Sequence, residues 1–559
     1  VPAYALVLSL AVTAPLLAPG YLLLRDAVST PRSYLSDAAL GLAEAAPRAL
    51  PQDFAVALAS SVLDGGVVVK LLLIVALLLA GWGAARLVAQ VLPAAGLAGQ
   101  CIALTIAIWN PYVAERLLQG HWSLLVGYGC LPWVATEMLR LRSSATASLI
   151  SGCALVFWIA LAGLTPTGLM LAATVALVCV FAPGAGRPRR VCAAVGLGAA
   201  VVAALPWLTA AMVAGSLASS QAEGVPAFAA RAEPGLGTLF SLASLGGIWN
   251  ADAVPASRTT LFAVVAAVVL LAVVALGLPA VARRPAAVPL LVLAAAAVAV
   301  PAMMATAPGL AVVEATIRAL PGLGVVRDGQ KWVALAMPAY ALLAAGAVVT
   351  LRPRLPAAAT ALICCAALIA TLPDLAWGVG GKVSAVRYPS GWAHAAAIVN
   401  ADPRPVAVLP VDSMRRFTWA PDAPVLDPLP RWLRADVLTT GDLSIGGRSV
   451  PGEGKRARAV QQMLLSGADP GQLAAAGVGW VVVESGGAAD TLTLPIAYRD
   501  DDLTVYRVGG DFPAAQGRGV VLAAHIAWLA LLVAGLVGGA SASWRVRRTH
   551  PANKESGYP

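Results

Sequence analysis

Apolar runs long enough to cross a bilayer recur along this chain from end to end, and nothing constrains its fold more. A membrane-spanning helix needs roughly 20 predominantly apolar residues. Runs of about that size fall at 2–24, 66–86, 96–112, 122–139, 146–164, 166–183, 191–213, 260–281, 285–305, 332–351, 356–377 and 518–540. Backbone polar groups inside lipid must be satisfied within the protein, so runs of this kind read as helices. The expectation is a polytopic α-helical membrane protein with about twelve spans. Composition agrees: 59% of residues are hydrophobic and 12% charged, against about 25% charged in a soluble domain.

The net charge of +10 does not point to nucleic acid, because the basic residues come in short clusters at the ends of apolar runs. These are Arg86; Arg140 and Arg142; Arg187, Arg189 and Arg190; Arg283 and Arg284; Arg352 and Arg354; Arg545, Arg547 and Arg548. Each cluster follows an even-numbered run, so an inside N-terminus places all six in the cytoplasm. Loop 25–65, the short loop 112–122, loop 214–259, loop 306–331 and segment 378–517 then face outward. The first run lacks a basic leader and a cleavage site and reads as a retained helix rather than a signal peptide. The seven cysteines, at 101, 130, 153, 179, 192, 364 and 365, fall in apolar runs or at their ends without disulfide or metal-type spacing, and read as small core residues.

Loop 25–65 carries two stretches with apolar residues at helical spacing, SYLSDAALGLAEAA (33–46) and PQDFAVALASSVLD (51–64). They are expected to lie along the membrane surface. Segment 378–517 is the one sizeable hydrophilic region, with strands expected at 405–411, 478–485 and 503–509 and a helix at 471–477. The expected organisation is a transmembrane core over 1–377, a small extracytoplasmic α/β domain over 378–517, and a final helix with a cytoplasmic tail over 518–559, the last residues, 549–559, being disordered.

The apolar runs are nearly free of charge; Lys70 is the exception, near an outer end where it can snorkel. Charges gather instead at the outer mouths. WNPYVAERLLQGHWSLLVGYG (109–129) crowds rare polar and aromatic groups together. Trp109, Tyr112 and Trp122 fit an interfacial aromatic belt, which leaves Glu115, Arg116 and His121 unexplained. Asp26, just after the first run, is placed either to act as general base on a sugar hydroxyl or to pair with Arg25 as a helix-end charge. Arg327 and Lys331, four apart in GVVRDGQKW (324–332), are either phosphate-binding cations or ordinary interface charges. His121 has no His or Cys neighbour at zinc spacing, and no P-loop, GxSxG or HExxH motif occurs. No cofactor or metal-ligand set is legible, though outer-loop carboxylates could take calcium or magnesium.

Together, RDAVSTPR (25–32), the surface helices at 33–64 and RDGQKW (327–332) resemble the GT-C superfamily of membrane glycosyltransferases, and among them the large actinobacterial arabinofuranosyltransferases that build cell-wall arabinan. LPVDSMRRFTW (409–419) and DPLPRWLRADVLTTGDLS (427–444) look like the extracytoplasmic part that follows their core. The first loop has RDAV where other GT-C enzymes commonly pair two acidic residues, and the chain lacks the long carbohydrate-binding regions of the largest members. The resemblance implies transfer of a sugar, arabinofuranosyl or mannosyl, from a polyprenyl-phosphate donor to a cell-envelope glycan or glycolipid at the outer face of the plasma membrane. It implies Asp26 as base, with Asp37 as the alternative, and Arg327 and Lys331 on the donor phosphate. Arg32, Glu115, Arg116, His121, Trp122 and Tyr112 would then line the substrate cavity. Two alternatives stand beside it: a lipid or glycan transporter, which calls for polar residues mid-span and broken helices, and a non-catalytic envelope assembly subunit on a GT-C-like shell.

Overall fold

A computed structural model describes the chain except for residues 45–48, 145–147, 215–221, 412, 446–447, 451, 468, 485–491, 514 and 550–559. The tail expected to be disordered thus lies almost wholly outside the described residues. Six helices are long and apolar enough to cross a membrane: Gly65–Val91, Pro93–Gln119, Arg189–Val213, Phe262–Val281, Gly329–Leu351 and Arg518–Ala542. Two bent pairs, Val288–Met304 with Ala307–Ala319 and Ala357–Ala370 with Pro373–Gly380, bring the number to eight if each is one span. Pro2–Leu17, Leu149–Ala162 and Pro166–Cys179 are apolar but shorter. The chain is therefore a multi-pass membrane protein, but twelve full-length spans are not present among the described residues.

The first run shows why. Helix Pro2–Thr13 passes into a tighter turn, Ala14–Leu17, and then stops. Pro19-Gly20 cannot continue it, and Gly20 takes φ +131°, where an added Cβ would lie 2.6 Å from the Val386 carbonyl oxygen. The remaining apolar residues form a strand, β1 (Tyr21–Leu24), which pairs with β2 (Ala27–Val28) and with β3 (Ala385–Val386) in a three-stranded sheet of order β2-β1-β3. Apolarity marked this run correctly, but it is burial against segment 378–517, not lipid, that the last residues serve.

The expected surface helices are shorter than their periodicity suggested. The first is Asp37–Leu40, ended by Gly41 at φ +78°, and residues 45–46 of the expected stretch lie outside the described residues. The second is Gln52–Ala59, ended by Ser60, whose hydroxyl accepts hydrogen bonds from Arg32 and from the Ser33 amide. The short loop expected at 112–122 is also corrected. The chain breaks at Trp109, and Asn110 caps a new helix, Pro111–Gln119, by accepting from the Val113 amide. Glu115 and Arg116 thus sit in the last turns of the long candidate span Pro93–Gln119, and Lys331 near the start of another, Gly329–Leu351.

In segment 378–517, β4 (Val406–Leu409), β5 (Met414–Arg415), β6 (Val425–Leu426), β7 (Leu443–Ile445), β8 (Arg448–Val450), β9 (Trp480–Glu484), β10 (Ile496–Arg499) and β11 (Leu503–Arg507) are the strands. Four make a sheet of order β10-β11-β9-β4, with β4 and β9 parallel and the other pairs antiparallel. Side chains alternate across a strand. Val406 and Val408 pack with Trp392 and Val399 of helix Ser390–Ala401, while Ala407 and Leu409 pack with Val460, Leu464 and Leu473 of helices Lys455–Leu465 and Pro470–Ala475. The strands read at 405–411, 478–485 and 503–509 and the helix at 471–477 are found where expected, short of residue 485, which is not described.

Candidate functional site

The hairpin between β1 and β2 carries Asp26 and is held from two sides. Arg25 adopts φ +50°, a left-handed conformation unusual for a residue with a Cβ. Its backbone is gripped by β6: Arg25 N–H donates to the Pro424 carbonyl at 3.0 Å, and Leu426 N–H donates to the Arg25 carbonyl at 2.9 Å. Its guanidinium donates to the carbonyls of Leu118, at 2.6 Å, and Asp252, at 2.7 Å. On the other side, Gly120 closes helix Pro111–Gln119 at φ +83° and lets the hairpin approach; a Cβ there would lie 2.3 Å from the Ala27 nitrogen and 2.4 Å from the Leu24 carbonyl oxygen. The Asp26 amide donates to the Gln119 carbonyl at 3.2 Å.

This brings Asp26 onto His121. Oδ2 of Asp26 receives Gln119 Nε2 at 3.1 Å and lies 2.9 Å from His121 Nε2. Among the described residues Oδ1 carries no hydrogen bond, and the side chain is 37% exposed. His121 Nδ1 is 3.0 Å from an Arg116 guanidinium nitrogen, which can only donate. Nδ1 must therefore accept, which assigns the ring proton to Nε2 and makes His121 a neutral donor to Asp26. Behind it, Arg116 is fully buried and clamps Asp328 with two bonds of 3.0 and 3.2 Å, while also donating to Gln330 Oε1. Gln330 donates to Glu115 at 2.9 Å, and Glu115 accepts from the amides of Gly247 and Ile248, both at 3.1 Å. Lys331 Nζ lies 3.7 Å from Asp328 and remains partly exposed.

The electrostatics follow this layout. Desolvation would raise the Asp26 carboxyl, but the hydrogen bonds from His121 and Gln119 and the nearby Lys331 charge bring it below its ordinary value. Desolvation lowers His121, and Lys331 and Arg116 add to that against the pull of Asp26. Burial would raise Asp328, yet Arg116 and Lys331 outweigh it and hold the carboxyl far below the usual range. Asp26 is therefore ionised and His121 neutral near pH 7.

Of the residues singled out in the sequence, Asp26, Glu115, Arg116, His121, Tyr112 and Lys331 converge here. Tyr112 is buried, stacks on Tyr128 and donates to the Lys331 carbonyl at 3.2 Å. Trp122 is buried too. Trp109 is likewise enclosed, donating to the Ile369 and Leu372 carbonyls, so these aromatics do not form a lipid-facing belt. Arg327 stands to one side, 4.1 Å over the ring of Phe228. Asp37 and Arg32 lie elsewhere. Asp37 pairs with Arg518 and accepts from the Ala515 amide at 3.1 Å, tying the final span to the first loop. Arg32 donates to the Ala57 carbonyl at 2.7 Å and to Ser60 at 2.9 Å. The Arg25–Asp26 ion pair weighed from sequence is replaced by the bonds from His121 and Gln119. Gln119, Asn250, which donates to Gln119 Oε1 at 2.7 Å, and Gln330 were not singled out. Gln119 and Gln330 each left a signal, inside the polar stretch 109–129 and the RDGQKW element; Asn250 left none. No group of three or more His, Cys, Asp or Glu among the described residues is placed to hold a metal ion.

No protein family profile and no curated protein matches this sequence. Among solved structures, the arabinofuranosyltransferase AftD from Mycobacteria matches over 91% of this chain at 16% identity and a TM-score of 0.59. The fold is that of AftD's matching portion. The chain spans 39% of the AftD chain in that alignment. Two classes of an AftD point mutant match over the same 91% with TM-scores of 0.50. The likeness to arabinofuranosyltransferases read from short motifs is thus met again, as a likeness of fold to AftD.

Proposed function

We propose that this chain is a GT-C-type glycosyltransferase that moves a sugar, arabinofuranosyl before mannosyl, from a polyprenyl-phosphate donor to a hydroxyl of a cell-envelope glycan or glycolipid at the outer membrane face. The observation that carries this reading is the partly exposed Asp26 carboxylate: one oxygen fixed by His121 and Gln119, the other without a hydrogen bond among the described residues, near the partly exposed ammonium of Lys331. The likeness of fold to an arabinofuranosyltransferase supports the choice of sugar.

In this mechanism the acceptor hydroxyl attacks the anomeric carbon as its proton passes to Asp26 Oδ1. The bond from that carbon to the donor phosphate oxygen breaks, and the polyprenyl phosphate leaves with the bonding pair. Lys331 stabilises the charge that grows on the phosphate; Arg327 flanks it. His121 keeps Oδ2 occupied so that the free oxygen points at substrate. Asp328 holds Arg116 in place and lies beside Lys331, while Glu115 fixes Gln330 and the Gly247 and Ile248 amides behind them. The test is transfer by purified, lipid-reconstituted protein given polyprenyl-phosphate arabinofuranose or mannose and a synthetic glycan acceptor. Product formation that disappears with Asp26→Asn supports the reading; no transfer from either donor, with the lipid shown not to bind, overturns it.

A further inference from the structure

β6, whose backbone holds Arg25, is itself anchored by a buried charge cluster. Arg415 of β5 donates from Nε to Glu484 Oε2 at 2.5 Å, and its guanidinium lies 3.6 Å from Asp427 Oδ2. Glu484 ends β9, and Asp427 directly follows β6. The three side chains are 5, 1 and 5% exposed. Asp427 also fixes the chain locally: its amide donates to the Ser413 carbonyl at 3.3 Å, and its Oδ1 accepts from the Leu429 amide at 2.8 Å. Two carboxylates against one guanidinium leave an excess negative charge among the described side chains. Asp427 Oδ2 and Glu484 Oε1 are buried without a hydrogen-bond donor. A single proton held between the two carboxyls supplies that donor and removes the excess charge.

Among the described residues, other ionisable groups near this cluster are engaged elsewhere. Arg431 pairs with Asp53 at 3.2 Å, and Tyr388 donates to the Ser29 carbonyl at 3.0 Å. Arg416 is exposed and pairs with Asp422. Val425 packs with Leu23 and Val28, which flank the Asp26 turn. Displacement of β6 is therefore transmitted to that turn by two backbone hydrogen bonds and by packing.

We propose that Arg415, Asp427 and Glu484 are positioning residues for Asp26, and that one proton shared by the two carboxyls keeps β6 seated on Arg25 until rising pH removes it. This rests on the reading of Asp26 as the base. Burial and the neighbouring carboxylate raise Glu484 well above its ordinary value, and burial raises Asp427. A carboxyl with a raised folded-state pKa favours the folded arrangement at low pH, and that advantage is lost as pH climbs through the raised value.

The experiment is hydrogen exchange of the full chain in lipid, following peptides over 22–28 and 423–429 from pH 6 to pH 9 after correction for intrinsic rates. Wild type should lose protection in both peptides as pH rises, by about tenfold or more, and Glu484→Gln should not, because its charge no longer changes. Asp427→Asn gives the same comparison should Glu484→Gln fold poorly. In transfer assays the fall of kcat with rising pH that loss of this proton causes should be absent in the variant, with KM little changed. Identical pH dependence of exchange in wild type and both variants overturns the proposal. Exchange does not depend on transfer, so failure of the base reading, seen as full transfer by Asp26→Asn, is a separate result.

Discussion

Asp26 Oδ2 lies 2.9 Å from His121 Nε2, although the two residues are 95 positions apart in the chain. The Arg116 guanidinium on Nδ1 fixes the direction of that bond, with His121 donating. The carboxylate is thereby oriented without being neutralised.

Replacing Asp26 by Asn keeps the shape and removes the basicity. Donor binding should persist, while transfer falls by at least about a hundredfold, the lower end of general-base contributions. Asp37→Asn should act differently. It loses the partner of Arg518 and so lowers thermal stability, with kcat nearly intact. A reversed pattern in the two variants would return the base to Asp37.

Lys331 and Arg327 separate in the same way. Lys331→Ala should weaken binding of a polyprenyl-phosphate sugar by about 1.5–3 kcal/mol, the range for hydrogen bonds to charged groups. Arg327→Ala, whose guanidinium lies over Phe228, should cost less. Titration of lipid phosphate binding to each variant checks the order, and equal wild-type affinity in both places the phosphate elsewhere.

His121 gives the acid limb. Its pKa is lowered on folding, so the neutral ring that accepts from Arg116 persists to pH values below the usual histidine range and is lost only as pH falls through the depressed value. The kcat profile should therefore stay flat down past about pH 6.5 before dropping. His121→Gln retains a donor for Asp26 but does not titrate, and should shift the acid limb toward about pH 4. An unchanged limb would assign it to another group.

Gly120→Ala tests the docking of the hairpin. A Cβ would collide with the Ala27 nitrogen and the Leu24 carbonyl oxygen, and φ +83° is strained for alanine. The expected loss is about 1–3 kcal/mol of stability, together with a larger fall in transfer than global unfolding explains. Thermal unfolding and specific activity of the purified variant measure both.

Orientation can be checked by labelling. Single cysteines near Arg416 and Asp422 should react with an impermeant reagent added from outside, and cysteines near 187–190 should be protected until the membrane is opened. Outside labelling at 187–190 reverses the topology and the proposed side of the site.

The sequence by itself determined the membrane class, because runs of apolar residues admit only internally bonded backbone. It also placed β4, β9 and β11, short runs rich in β-branched residues bounded by Gly, Pro and Asp, and it singled out Asp26, His121, Arg116 and Lys331 as charge stranded beside apolar chain. What it did not contain was where each run would spend its apolar surface. Residues 21–24 satisfy the same hydropathy as a helix end, yet form a strand because Ala385–Val386 arrives to pair with them. Likewise Asp37 and Asp26 look alike locally; Arg518 claims one and His121 the other. Charge partners separated by hundreds of residues are chosen by packing, and only the tertiary structure brings Arg116 to Asp328 and β6 to Arg25.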